Sequence, residues 1–262
     1  MMYKLGKLPA KRPDAFRPLR SYLNGTFPTP PDAVTPPAVL DWRMLGNDTV
    51  GDCGCAGYLH ADMADAARLG ETEVWPTDPA VVAGYLAYTG GQDSGVCLAD
   101  FLKFAQTKGF LGFQCEGYAP ALLAQVPAVV NIFGNCYIGL ELPDSALPTQ
   151  NGIPQWIMVP TAGLNSPNPA NGHCVTIVGY DQNGPWLVTW GQLIQCSWAF
   201  LTAYCDERWA IFTAEFLKAN PGVVNMEALL ADLESLDPPI PPNTLPSAGG
   251  CCARLARRYF GW

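Results

Sequence analysis

Histidine occurs only twice in 262 residues, charged residues make up only 15% of the chain, and no apolar run approaches the roughly 18 residues a bilayer span needs. The first scarcity narrows any search for a general base to His60 and His173. The second, beside 49% hydrophobic residues, excludes a disordered chain and describes a globular protein with a lightly charged surface. The third implies no membrane partner. No leader is legible either, because Pro9, Pro13 and Pro18 interrupt the stretch where a basic start would be expected to run into an apolar segment. With no signal peptide legible, the expected location is the cytoplasm of the producing cell.

Charge is unevenly placed. The first twenty residues hold six Lys/Arg against Asp14 alone, and Arg254, Arg257 and Arg258 lie at the other end, so a net charge of -8 leaves about -16 on residues 21–252. An acidic body of this kind excludes nucleic acid from the main surface, which would need a basic footprint. Ten cysteines would fit a secreted disulfide framework. The lack of a legible leader and the size of the available core favour mostly free, buried thiols instead.

The chain divides into a proline-rich basic arm over 1–39, a domain over 40–237, and a proline-rich linker with a basic, aromatic tail over 238–262. The arm has no helical period and is expected to run as an extended strap. Helices are expected over 53–69, with Asp52 as cap and Gly70 past the end, from Asp78-Pro79 to about Tyr88, with Asp78 as cap, and over 96–108. A short helix over 120–125 and a chain reversal then lead to a strand from Cys136. After a loop over 148–172, His173–Tyr180 and Trp186–Trp190 read as a hairpin around Asp181–Pro185. Residues 198–205 and 208–213 form helix then strand, or two strands, and a last helix covers 226–236. Helices first and strands second make an α+β fold.

Gly51-Asp52-Cys53 places a thiol at a helix start, where unpaired N–H groups and the helix dipole favour a thiolate. Asn47, six residues earlier, can fold back to offer an amide N–H to an oxyanion. His173 opens a strand, at the rim of a rigid element, which suits a general base. His60 lies about 10 Å along the helix from Cys53 and reads as a core residue. Cys55 is the rival nucleophile, turned about 200° from Cys53, so both cannot face one cleft. Cys53, Cys55 and His60 lack a second ligand pair, and Gly90 to Gly95 lacks the context of a phosphate loop, so neither metal nor cofactor is expected.

Gly46 to Ala56, Asn171 to Tyr180 and Trp186 to Gly191 together resemble the papain-like cysteine peptidase superfamily, and more closely a poorly characterised branch found in bacteriophages and actinobacteria. The resemblance covers roughly 40–236. It implies a two-lobed fold, with an N-terminal helical lobe and a C-terminal antiparallel sheet lobe. It matches Asn47 to the oxyanion glutamine, Cys53 to the nucleophile and His173 to the base. The superfamily's Asn-Ser-Trp-Gly segment is matched by Val188-Thr189-Trp190-Gly191, which lacks the asparagine that orients the histidine; Thr189 could accept from the His173 ring instead, and Trp190-Gly191 would wall the cleft. Asp181 or Asp206 could join the site if the fold brings either beside His173. The implied function is thiol-dependent hydrolysis of peptide or isopeptide bonds in a peptide or protein substrate. The alternative is a catalytically weak or inactive structural component of a phage particle, assembled through its terminal arms with further copies or with phage structural proteins and so incorporated in a virion.

Overall fold

A computed structural model describes residues 3–11, 16–25, 29–71, 74–157 and 161–235. The linker and tail expected over 238–262 lie outside them.

The helical lobe contains α1 (Cys53–Leu69), α2 (Asp78–Tyr88) and α3 (Leu98–Lys108). Gly70 ends α1 in the left-handed region at φ 69°, where a glycine carries no Cβ penalty. Two local expectations are corrected here. Asp52 precedes α1 but makes no side-chain cap bond, because its carboxyl is turned into the interior and fully buried. Thr77, not Asp78, occupies the cap position of α2, and the Asp78 carboxylate accepts from the Leu45 N–H at 3.1 Å.

The sheet lobe continues the chain as β1 (Gly117–Pro120), α4 (Val126–Phe133), β2 (Cys136–Glu141), β3 (Gly172–Tyr180), β4 (Pro185–Thr189), β5 (Gln192–Gln195), α5 (Trp198–Tyr204), β6 (Cys205–Phe212), α6 (Ala214–Ala219) and α7 (Met226–Glu234). The strands form one antiparallel sheet in the order β1-β6-β2-β3-β4-β5. Residues 198–212 therefore resolve as helix then strand. The chain reversal expected after residue 125 is instead the helix α4. Its run Val126-Pro127-Ala128-Val129-Val130 looks strand-like, but Pro127 in the first turn suits a helix start, and burial of one apolar face overrides the weak helix propensity of valine.

The two lobes meet along α1 and β3. Every residue of β3 is buried, as a strand covered on both faces must be. The small residues of Cys53-Gly54-Cys55-Ala56-Gly57 permit this approach. A Cβ at Gly57 would press on Cys174 Sγ and the Tyr137 ring, at 3.1 and 3.2 Å. Across the same seam Tyr137 donates to Gly54 O at 2.8 Å and Thr176 donates to Gly57 O at 2.6 Å. These bonds satisfy two hydroxyls that would otherwise be buried without partners.

Among the described residues no helix is long and apolar enough to cross a membrane. The eight described cysteines are free thiols, seven of them buried.

Candidate active site

Cys53 is the first residue of α1 and His173 the second residue of β3. The Cys174 N–H donates to Cys53 Sγ at 3.4 Å. The two covalent bonds from that nitrogen back to His173 Cα span less than about 3 Å, so this Cα lies within about 6 Å of the sulfur. The helix start and the strand rim are thus adjacent.

The imidazole is held from two sides. His173 Nε2 is 2.8 Å from Thr189 Oγ1, and the Trp190 ring stacks on the imidazole at a centroid distance of 4.1 Å and an angle of 15°. Nδ1 has no hydrogen-bond partner. Thr189 and Trp190 reach these places because β4 and β5 are joined by a two-residue turn, with Thr189 paired to Gln192. Both turn residues have positive φ, Trp190 at 45° and Gly191 at 70°, the pattern of a type I′ hairpin. A tryptophan in that conformation stores roughly 1 kcal/mol or more of backbone strain. Its stacking on His173 and its Nε1–H bond to Lys4 O at 2.9 Å hold it there. A side chain at Gly191 would meet the Arg43 backbone at about 2.9 Å.

Asn47 lies in the turn before α1, 2% exposed. Its Nδ2 donates to Val50 O at 3.3 Å, and it is the polar neighbour that restrains the rise in the Asp52 pKa. Its own carbonyl accepts from the Lys4 N–H at 2.9 Å. Cys55 is fully buried, and with Cys53 facing β3 it lies on the other side of α1. His60 donates through Nε2–H to Trp42 O (2.8 Å) and Arg43 O (3.1 Å), inside the helical lobe. Asp181 belongs to the β3–β4 turn, where it accepts from Asn183 N, Gly184 N and Gln195 Nε2. Asp206 is paired with Lys7. Among the described residues no group of three His, Cys, Asp or Glu could hold a metal ion.

The arm reads as an extended strap in the sequence, which holds no sign that it fills the space between the lobes. Residues 4–8 of the N-terminal arm run through it. The Gly6 and Lys7 N–H groups both donate to Gly172 O, at 3.2 and 3.0 Å, on the sheet side. On the helical side Leu8 N donates to Val96 O at 2.9 Å and Val96 N donates to Gly6 O at 2.8 Å. The walls approach so closely that a Cβ at Gly51, Gly95 or Gly172 would run into the strap backbone. Strap and walls leave Cys53 and His173 each 1% exposed.

That covering sets the electrostatics. Burial pushes the Cys53 thiol up to about 12, against smaller lowering effects from the Cys174 and Gly6 N–H groups. Burial alone takes His173 down to about 3. In the covered form both groups are neutral across the physiological range, because desolvation penalises whichever form is charged. The arm's charge gave a partial signal for this arrangement. Its basic residues call for acidic partners, and in the structure Lys7, Lys11 and Arg17 pair with Asp206, Asp100 and Asp232 of their own chain.

No family model matches the sequence, and no curated protein does. Among solved structures the fold is similar to that of xylellain, a cysteine protease from Xylella fastidiosa, with a TM-score of 0.59 at 14% sequence identity, covering 82% of this chain and 98% of that one. The chain has a papain-like two-lobed α+β fold.

Proposed function

We propose that the protein is a latent thiol-dependent hydrolase of peptide or isopeptide bonds, with Cys53 as nucleophile and His173 as its base. The observation that carries this reading is the Cys174 N–H bond to Cys53 Sγ, which joins the thiol to the strand bearing an imidazole already engaged by Thr189. If Thr189 Oγ1 accepts from the Nε2–H tautomer, Nδ1 keeps a lone pair for the thiol proton. Withdrawal of residues 4–8 readmits water, relieves the desolvation of both groups and favours thiolate with imidazolium. The thiolate attacks the carbonyl carbon, the imidazolium protonates the leaving amine, and water then releases the acyl enzyme. Asn47 supplies an oxyanion donor by exchanging Val50 O for the oxyanion, and Trp190 with Gly191 walls the cleft.

The test uses the intact chain and a broad peptide library, with iodoacetamide as a thiol label. We expect hydrolysis to disappear in proportion to Cys53 modification mapped by mass spectrometry, and Cys55→Ala to keep activity within about threefold. Hydrolysis that survives complete Cys53 modification would refute the assignment. Thr189→Val keeps shape and removes the hydroxyl. It is expected to lower kcat/KM about tenfold, as for loss of one oriented hydrogen bond. Thr189→Asn, which restores a polar partner for Nε2, should recover most of the loss. A Thr189→Val enzyme as active as the parent would remove Thr189 from the site.

A further inference from the structure

The strap places one side chain deep in the cleft. Lys7 is 5% exposed as a residue, and its side chain is 1% exposed. Its Nζ lies 2.6 Å from Asp206 Oδ2, 3.5 Å from Glu207 Oε1 and 3.3 Å from Leu8 O. Room for the aliphatic stem is made by Gly139 on β2, where a Cβ would overlap Lys7 Cε. The two acids are presented by the first residues of β6, next to the bulge that shifts its register against β2 between Gly139 and Leu140.

The pocket is built for a cation. Glu207 is 6% exposed; its Oε2 accepts from Trp209 Nε1 at 2.9 Å, while its Oε1 has no hydrogen-bond donor and faces Lys7. Asp206 Oδ1 is likewise buried without a donor. Burial opposes the charge on Lys7, yet the bond and charge of Asp206, helped by Glu207, still raise its pKa. With the lysine withdrawn, two adjacent carboxyls would stand in a partly desolvated pocket with acceptor oxygens unfilled, a costly arrangement that an incoming ammonium relieves. Beside the lysine pocket the cleft holds the main chain of the strap through Gly172 O, Val96 O and Val96 N. The residue before the lysine is also restricted, because a Cβ at Gly6 would overlap Gly51 O.

We infer that Gly139, Asp206 and Glu207 form a specificity pocket for a lysine side chain, and that the ligand class of the cleft is an extended peptide carrying Gly-Lys, of which Gly6-Lys7 is the internal copy. The inference deepens the hydrolase reading and rests on it only for the bond cleavage that comes after binding.

The experiment compares the intact chain with its Lys7→Met variant, which keeps an unbranched stem in the pocket and removes the ammonium. Two probe peptides are added, acetyl-Leu-Gly-Lys-Leu-amide and its norleucine counterpart. Protection of Cys53 from iodoacetamide is measured by mass spectrometry, and binding by anisotropy of labelled peptide. Lys7→Met should speed Cys53 alkylation about 10- to 100-fold, the range for losing a buried charge-assisted hydrogen bond. The lysine peptide should then slow it again and bind at least about tenfold tighter than the norleucine peptide. Adding Asp206→Asn and Glu207→Gln should erase that preference. If Lys7→Met does not fold by circular dichroism, Asp206→Asn/Glu207→Gln in the parent chain frees the same strap and must give the same acceleration. Unchanged alkylation in the folded variant, or equal binding of the two peptides, overturns the pocket. Selective binding of the lysine peptide with no hydrolysis of any substrate supports the pocket and refutes the hydrolase. Hydrolysis without preference for lysine does the reverse.

Discussion

Replacing His173 by alanine is expected to lower kcat/KM for Cys53-dependent hydrolysis about a thousandfold or more, measured on the intact chain with a peptide substrate. The size reflects the two roles of the ring. A thiol without its base is mostly protonated at neutral pH, and the leaving amine loses its proton donor, so both chemical steps slow. A strap that lowers the absolute rate would do so in the parent and in the variant alike, so the ratio is insensitive to it. A structural account of the loss is separable from a chemical one, because alanine also vacates space against the Trp190 ring. His173→Gln fills that space and retains a hydrogen-bonding group toward Thr189, but it cannot exchange a proton near neutral pH. It should therefore be nearly as inactive as His173→Ala while unfolding close to the parent temperature. If either variant retained a tenth of the parental kcat/KM, His173 would not be the base. A protein with no hydrolysis to lose in any form would instead fit the structural role implied by its terminal arms.

Asp52→Asn is expected to stabilise the protein at pH 8 by several kcal/mol relative to its effect at pH 4.5. The Asp52 carboxyl is fully buried, and burial raises its pKa from 3.8 to about 8, with Asn47 holding it down and Asp93 and Asp78 pushing it further up. Between those values the folded chain keeps a proton that the unfolded chain gives up. The unfolded state then binds fewer protons, so stability falls as pH rises from about 4 to about 8 and levels off above. A shift of this size corresponds to at most about 6 kcal/mol. The amide cannot ionise, so the variant lacks this slope. Glu207, also raised by burial to about 7, adds a slope of the same sign, and His60 and His173, lowered to about 4 and 3, add one of opposite sign. All three are present in both proteins and cancel in the difference. Urea unfolding at pH 4.5, 6 and 8 reads the effect directly. Stability curves that stay parallel across this range would show that Asp52 titrates normally.

The position of Asp52 also marks where local sequence rules stop. An aspartate before a helix reads as a cap, since capping is a bond to an N–H two or three residues away. Whether the carboxyl turns outward to that N–H or inward to Asn47 depends on the groups that pack beside the helix start. There the strap closes over Gly51, whose own N–H is taken by Asp93 at 2.8 Å. The same limit applies to the arm. Its prolines and lack of helical period made an extended strap legible, and its positive charge made an acidic partner legible. Only the fold could choose between a neighbouring copy and the same chain.

The elements that the sequence determined by itself are those whose signals are local. Helix α1 begins at Cys53 and ends at Gly70 because a glycine-flanked start and a left-handed stop are written within the segment. The β3–β4 hairpin forms around Asp181 because the turn residues and alternating apolar runs are contiguous. From these, Cys53 at a helix start and His173 at a strand rim could be named as candidates. Tertiary structure alone decided that the two are neighbours, that Thr189 and Trp190 grip the imidazole through a strained two-residue turn, and that Lys7 reaches Asp206 across 199 positions of chain. Such contacts leave no period or spacing in the sequence, because they arise from which faces two distant elements bury against each other, and that is settled only when the whole core packs.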